Sequence, residues 1–196
     1  DDAIAAYYAE VAALLGDGTP WVLQDFPLSG SPTLAPRLIR RIADAAPNCV
    51  MLKHEDWPGL DKITTLRKME AEGARRLSIL TGNGGIFLPL ELARGADGAM
   101  TGFAYPEMLV GVCRLMAAGE KDRAMDLFDA YLPLVRYEQQ PVMGLVVRKH
   151  ILAQRGAIAS PTLRAPAPRL SAETIADIAW LTARLERSLA TRPLAA

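Results

Sequence analysis

The chain has 196 residues, 51% of them apolar, with 22 Lys or Arg and 22 Asp or Glu. This length and composition are typical of a globular protein with one substantial core, and they argue against a disordered chain. Because the charges balance and the arginines are scattered, we expect no binding to nucleic acid. No apolar stretch is long enough to span a membrane and the amino end does not resemble a signal peptide, so we expect a cytoplasmic protein.

The two cysteines predict neither a disulfide framework nor a zinc site. Cys49 lies in a predicted strand and Cys113 in a predicted helix, both in apolar surroundings. Neither belongs to a CxxC motif or has a histidine at metal-ligand spacing. We therefore expect both thiols to pack in the core, and no metal to be bound.

The first part of the chain alternates helical and strand patterns. Apolar residues from Ile4 to Leu15 recur at intervals of three and four, which predicts a helix that ends at Gly16. Short apolar runs bounded by turn residues then predict four strands, separated by amphipathic helices. In chain order the strands are expected within 20–27, 48–55, 76–85 and 96–102, and the helices within 31–47, 59–73 and 86–95.

The pattern after residue 105 is helical. Successive helices are predicted within 106–119, 120–140, 141–156 and 171–189, separated by Gly, Pro or polar residues. The proline-rich segment 157–171 is expected to be an extended surface connector. We place the domain boundary between residues 118 and 119, with a barrel-like α/β part at 1–118 and a helical domain at 119–196.

Four βα units in succession are typical of a parallel sheet with helices packed on it. They amount to half of a (β/α)8 barrel, or alternatively to a small open α/β domain. The chain begins without Met, directly in a helix. We therefore expect it to be the second half of a barrel whose first half precedes residue 1.

Candidate site residues lie at the carboxyl ends of the strands, where parallel α/β proteins place their functional groups. Side chains alternate between the two faces of a strand. In the second strand this puts Lys53 and Glu55 on one face, whereas Val50, Leu52 and His54 lie on the other. The alternation predicts that Lys53 and Glu55 share a site.

A lysine at the mouth of a barrel has a recurrent chemical use. Loss of hydration favours the free amine, which attacks a ketone and forms a Schiff base whose iminium accepts electrons. The structural alternative for Lys53 is an ordinary ion pair with Glu55 or Asp56. A further alternative is that TGNGG, residues 81–85, binds a phosphate at the start of a helix.

Three stretches of the sequence resemble one enzyme family. They are VLQDFPLSGSPTLAPRLIRRIADAAPNCVMLKHE, LSILTGNGGIFLPLELARGADGAMTGFAYPEML and RAMDLFDAYLPLVRYE. All three are similar to the carboxyl-terminal part of the dihydrodipicolinate synthase and N-acetylneuraminate lyase family, and together they cover most of the chain. The resemblance implies a (β/α)8 barrel with an appended helical domain.

The resemblance also implies a set of functional residues. Lys53 would form the Schiff base with pyruvate or a related 2-keto acid, without a metal or organic cofactor. Gly82 and Asn83 would line the substrate pocket, with Met100 and Thr101 as the wall beside the imine. Family members commonly form dimers or tetramers, so a homodimer or homotetramer is expected.

Two departures from the family pattern concern the loop after the first strand. Where the family usually has Tyr-Asn-x-Pro, this chain has Gln24-Asp25-Phe26-Pro27. Because an amide does not ionise, Gln24 cannot shuttle a proton as a tyrosine does. The candidates for that role are Glu55, His54 and Tyr105, in that order. The loop also lacks the arginine with which dihydrodipicolinate synthases hold a second carboxylate, so lysine biosynthesis is not expected.

The sequence thus favours a Schiff-base lyase, either an aldolase or a dehydratase, acting on a small 2-keto acid. The resemblance places the family's carboxylate-gripping Thr-Thr or Ser-Thr turn in the amino-terminal half, so the site is expected to be incomplete in these residues alone. Sugar-acid breakdown products such as 2-keto-3-deoxy acids are plausible substrates on family analogy. The alternative is a non-catalytic or regulatory barrel protein that has kept the fold and lost the tyrosine relay.

Overall fold

The computed structural model describes residues 1–57 and 59–191. Within these ranges the chain alternates helices and strands and then continues as helices alone, as predicted. The first elements are α1 Asp2–Leu15, β1 Trp21–Asp25, α2 Pro36–Ala45, β2 Cys49–His54, α3 Leu60–Ala71, β3 Ser78–Thr81, α4 Leu88–Ala93 and β4 Gly98–Ala99. The helices that follow are α5 Pro106–Ala117, α6 Lys121–Glu138, α7 Gly144–Gln154 and α8 Ala172–Thr191.

The four strands form one parallel sheet in the order β1-β2-β3-β4. Each strand is followed by a helix before the next strand begins, which confirms the predicted βα units. The register places Gln24 opposite Lys53, and Lys53 opposite Leu80. The polar residues at the carboxyl ends of β1 and β2 are therefore direct neighbours.

A bulge at the start of β2 corrects one prediction. Trp21 pairs with Cys49 but Val22 pairs with Met51, so Val50 is an extra residue in the ladder. Simple alternation puts Val50 on the face of Leu52, yet Val50 is 42% exposed whereas Leu52 is fully buried. The prediction for Val50 was wrong because a bulge shifts the alternation by one residue.

The chain divides into two compact units. One comprises Asp1–Gly82 with Leu90–Met100, and the other comprises Asn83–Pro89 with the chain from Thr101 onward. The core of the first unit lies between the sheet and helices α2 and α3. Its fully buried side chains include Leu23, Leu52 and Ile79 from the strands and Ile39 and Ile63 from the helices. The expected domain boundary after residue 118 stays a prediction.

Helix α1 packs less completely than its sequence predicts. Its apolar residues were expected to form one inward face, but Tyr7 is 60% exposed and Leu14 is 87% exposed. Tyr8 stacks on Trp21, with ring centroids 6.0 Å apart. In the described part of the chain, α1 therefore packs on α2 and on Trp21 of β1, and leaves apolar surface exposed.

The second unit is built from helices around an aromatic cluster. Phe103, Tyr105 and Tyr131 are buried, and their ring centroids lie 5.5 to 6.4 Å apart. The segment 157–171 contains no helix or strand, in agreement with the predicted connector. None of the helices in the described ranges is long and apolar enough to cross a membrane.

Candidate active site

Gln24, Lys53 and Glu55 form a connected group at the carboxyl ends of β1 and β2. The Lys53 Nζ lies 3.3 Å from Glu55 Oε1, and the Gln24 amide Nε2 donates a hydrogen bond of 2.7 Å to Glu55 Oε2. The Lys53 side chain is 24% exposed and that of Glu55 is 9% exposed. The structure therefore brings Lys53 and Glu55 together, as the alternation predicts, and leaves the Lys53 side chain partly exposed.

Gly82 provides the space in which the Glu55 side chain lies. A Cβ atom at Gly82 would be 2.0 Å from Glu55 Oε1 and 2.1 Å from its Cγ, so any other residue would force the Glu55 side chain to move. The Gly82 N–H also donates a hydrogen bond of 2.9 Å to the carbonyl of His54. The structure thus gives Gly82 a contact with the candidate acid–base group. Its expected role in lining a substrate pocket stays a prediction.

Behind these residues lies a buried group that we call the Lys62 cluster, composed of Asp25, His54, Asp56 and Lys62. The Lys62 ammonium is 2.7 Å from Asp25 Oδ2 and 2.6 Å from Asp56 Oδ2. Exposed fractions of the side chains are 8% for Lys62, 0% for Asp25 and 11% for Asp56. Sequence reasoning missed this cluster, although alternation already places Asp25 on the face opposite Gln24.

His54 faces the helices, as the alternation predicts, and its side chain is 1% exposed. Its Nε2 lies 3.0 Å from the Gly59 carbonyl, and because a carbonyl only accepts, this nitrogen carries the hydrogen. Its Nδ1 is 3.7 Å from Asp25 Oδ2, a separation of ion-pair range that is too long for a hydrogen bond. A Cβ at Gly59 would be 2.3 Å from Nε2, so glycine is required for this close approach.

Two buried carboxyl groups of the first unit have shifted pKa values. Burial raises the pKa of Asp25, but the contacts of its carboxylate with His54 and Lys62 outweigh burial and hold the pKa below its usual range. For Glu91 burial dominates and raises the pKa to about 7, although a hydrogen bond with Thr81 and the charge of His54 oppose the shift. Glu91 is 8% exposed, and its Oε2 has no hydrogen-bond partner.

The remaining predicted site residues follow β3 and β4. Met100 donates its backbone N–H to the Thr81 carbonyl at 2.8 Å, which continues the pairing of β3 with β4. Asn83 has a positive φ of 51° in the turn after β3. In the second unit, the Thr101 hydroxyl accepts a hydrogen bond of 2.7 Å from the backbone N–H of Gly84.

These contacts bear on two alternatives from the sequence. A phosphate cradle at residues 81–85 requires free backbone N–H groups, but the N–H of Gly84 is already bonded to Thr101 and that of Gly82 to His54. Tyr105 lies in the aromatic cluster of the second unit, with the Arg155 guanidinium 4.2 Å above its ring. Burial raises the pKa of Tyr105, so its phenol gives up a proton less readily than that of an exposed tyrosine.

The loop after β1 offers hydroxyl groups but no cation. The hydroxyls of Ser29 and Ser31 donate hydrogen bonds of 2.7 and 2.6 Å to the Phe26 carbonyl.

Among the described residues, no group of three or more His, Cys, Asp or Glu side chains is arranged to hold a metal ion.

Comparison with known proteins places these features in context. No family model matches the chain. It is 28% identical to the L-2-keto-3-deoxyarabonate dehydratase of Azospirillum brasilense over 93% of this chain and 57% of that protein. It is 50% identical to a dihydrodipicolinate synthase crystal structure from Rhodopseudomonas palustris, with a TM-score of 0.90 over 92% of this chain and 60% of that one.

A second structure shows the fold at lower identity. The N-acetylneuraminate lyase of Proteus mirabilis is 20% identical, with a TM-score of 0.71 over 95% of this chain and 60% of that one. The chain spans 57% to 60% of the length of these three relatives. The fold is therefore that of a (β/α)8 barrel, of which this chain supplies roughly the last four βα units, followed by helices. The chain resembles the carboxyl-terminal part of the dihydrodipicolinate synthase and N-acetylneuraminate lyase family over most of its length, as the sequence predicts.

Proposed function

We propose that this protein is a lyase in which Lys53 forms a Schiff base with pyruvate or another 2-keto acid. The observation that carries the proposal is the position of Lys53 at a strand's carboxyl end, partly exposed, with the Glu55 carboxylate 3.3 Å from its Nζ. An amine with an adjacent proton acceptor is what Schiff-base chemistry requires. Relatives with lyase and dehydratase activities support the same class of reaction.

The proposed chemistry begins at the keto carbon of the substrate. The Lys53 amine adds to C2 and gives up a proton, and the resulting carbinolamine loses water to form the iminium. The iminium then accepts an electron pair, either from the C3–C4 bond when that bond breaks or from the C3–H bond when a base removes the proton. In the second case the electrons return to expel hydroxide from C4, and the balance of the reaction is loss of one water.

Glu55 is the proposed proton carrier in place of the family's tyrosine. Gln24 donates its amide hydrogen to Oε2, which leaves Oε1 directed at the Lys53 amine. Because an amide does not ionise, Gln24 orients the carboxylate rather than exchanging protons. Gly82 supports this arrangement by leaving room for the Glu55 side chain.

For the substrate, we propose a 2-keto-3-deoxy sugar acid, and dehydration as the overall reaction. The relative from Azospirillum brasilense is a dehydratase of such an acid. The loop after β1 has Ser29 and Ser31 in place of a cation, which suits hydroxyl groups better than a second carboxylate. Their hydroxyl oxygens retain lone pairs that can accept hydrogen bonds from a polyol.

Trapping the Schiff base tests the proposal directly. The full-length protein is incubated with pyruvate, reduced with borohydride and examined by intact mass and peptide mapping. We expect one reduced adduct, located on Lys53, that is lost in Lys53→Arg and kept in the matched control Lys68→Arg. Lys68 is a suitable control because its side chain is 75% exposed and lies on α3, away from the candidate site.

The substrate proposal needs a separate measurement. L-2-keto-3-deoxyarabonate is offered to the protein, and the products are examined for loss of water or for pyruvate release. Loss of water supports a dehydratase, whereas pyruvate release supports an aldolase. Absence of any adduct with either keto acid would contradict the proposal that the protein is an enzyme. It would support the alternative of a non-catalytic barrel, which is also favoured by Gln24 at the position of the family's tyrosine.

A further inference from the structure

The Lys62 cluster is a group of buried charges that the proposed chemistry does not use. Lys62 lies between two carboxylates at 2.7 and 2.6 Å, and only 8% of its side chain is exposed. Its ammonium is thus held by two carboxylates, which distinguishes it from Lys53, whose one contact with a carboxylate oxygen is longer. Burying three charged groups together is costly unless their geometry is well satisfied. The cluster therefore calls for an explanation beyond core packing.

Each carboxylate of the cluster is adjacent in sequence to a residue of the candidate site. Asp25 follows Gln24 and Asp56 follows Glu55. In extended backbone, consecutive side chains point to opposite sides, so a displacement of one residue moves the other. The cross-link made by Lys62 behind the sheet therefore fixes the positions of Gln24 and Glu55 in front of it.

The backbone shows where this cross-link is needed. The regular pairing of β1 with β2 ends at Asp25 and His54. One further hydrogen bond, from the Glu55 N–H to the Asp25 carbonyl at 2.9 Å, continues the contact between the two segments. Asp56 lies beyond this last backbone bond, and its carboxylate is held by Lys62 and by the backbone N–H of Trp57.

We propose that Lys62 is a positioning residue that holds the strand ends at the separation required for the contact between Lys53 and Glu55. The expected effect on catalysis rests on the proposed function. The geometry of the inference rests only on the contacts described above. Without Lys62, two buried carboxylates repel each other and Asp56 loses its charged partner. The segment that carries Glu55 then moves away from β1, and the proton carrier is no longer aligned with the amine.

The main test compares trapping rates at varied pyruvate concentration in the full-length protein. For Lys62→Met we expect the maximal trapping rate to fall by at least about tenfold, because small displacements of reacting groups have large kinetic effects. The half-saturating pyruvate concentration should change by less than about threefold, since Lys62 touches no substrate. Lys62→Arg should restore most of the rate, and Lys68→Met should match the wild type.

A second measurement requires no pyruvate chemistry. The protein is treated with limiting acetic anhydride, and acetylation of Lys53 is measured relative to exposed Lys68 by peptide mass spectrometry. We expect the ratio to change by at least about threefold in Lys62→Met, because the neighbours of the Lys53 amine have moved. Where Lys62→Met does not fold, Asp56→Asn serves instead, because it keeps the ion pair of Lys62 with Asp25. A smaller change in the same direction is expected there.

The two measurements separate the possible failures. If the wild type traps no keto acid, the proposed function is wrong, and the acetylation ratio alone decides whether Lys62 positions Lys53. If the wild type traps pyruvate and a folded Lys62→Met or Asp56→Asn variant traps it at the same maximal rate with the same acetylation ratio, the positioning role is overturned. A rate that falls without rescue by Lys62→Arg also contradicts the proposal, because the charge would not be what matters.

Discussion

Two lysines of the first unit occupy opposite sides of the same strand ends and have opposite environments. Lys53 faces one carboxylate oxygen at 3.3 Å and is 24% exposed, whereas Lys62 is held by two carboxylates at 2.7 and 2.6 Å and is 8% exposed. Lys62 is thus confined between two anions, whereas Lys53 makes one longer contact with a carboxylate and keeps part of its side chain exposed. The two lysines thus differ in the number and the distance of their acidic neighbours, and this difference makes Lys53, rather than Lys62, the candidate nucleophile.

The largest effect is expected when the accessible lysine is replaced. Lys53→Met should abolish the borohydride-trapped adduct, because no other described lysine has its combination of exposure and position. Its free energy of unfolding should change by less than about 1 kcal/mol, as is usual for a partly exposed ion pair. Trapping and urea denaturation measure the two effects. An adduct that persists elsewhere on the chain would show that the comparison assigns the wrong lysine.

Replacement of the carboxylate beside Lys53 should separate imine formation from turnover. Glu55→Gln keeps the shape of the side chain but removes its ability to exchange protons. We expect turnover of a 2-keto-3-deoxy acid to fall by about 10²–10⁴-fold, the range typical of a lost general acid–base group. Adduct formation with pyruvate should persist at a reduced rate. Equal losses in both assays would point to a role in binding rather than in proton transfer.

Replacement of Lys62, the lysine behind the sheet, should lower the stability of the protein much more than replacement of Lys53. Lys62→Met leaves Asp25 and Asp56 without their shared cation, and breaking a buried ion pair costs about 3–5 kcal/mol of folding free energy. Chemical denaturation of the variant measures this loss, with Lys68→Met as the exposed control on the same helix. A loss below about 1 kcal/mol would mean that the cluster is as well hydrated as a surface pair.

Glu91 offers a smaller effect that depends on pH. Its pKa rises on folding from 4.5 to about 7 because of burial. Between these values the folded protein retains a proton that the unfolded chain releases, so stability falls as the pH rises through this window. The total loss is about 3 kcal/mol, and it should be absent in Glu91→Gln.

Measuring unfolding free energies from pH 4.5 to pH 7 in both proteins tests this prediction. The difference between the pH profiles of the two proteins reports on Glu91 alone. The profile of the wild type by itself does not, because burial also raises the pKa of Glu138 in the second unit. Asp25 contributes in the other direction, because its lowered pKa makes stability fall on acidification below its usual range. Parallel pH profiles for the two proteins would show that the Glu91 carboxyl is hydrated.

Local pattern was enough to predict the elements and the front of the candidate site. Side-chain alternation in a strand and apolar spacing in a helix both depend only on residues close together in the sequence. The sequence alone therefore predicts the βα units and places Lys53 on the same face as Glu55. Similarity to family motifs then identified Lys53 as the nucleophile to test. The presence of Gln24 in place of the family's tyrosine could also be recognised from the sequence, because an amide and a phenol differ in chemistry wherever they lie.

Only the tertiary structure decided which distant groups meet. Lys62 is 37 residues from Asp25, and their contact depends on how α3 packs behind the sheet. The bulge at Val50 and the closeness of Gly82 to Glu55 depend on the pairing of separate strands. The sequence by itself determined the period of each element and the chemistry at each strand end. Register and packing, which depend on contacts between segments far apart in the chain, decided which groups surround the second lysine.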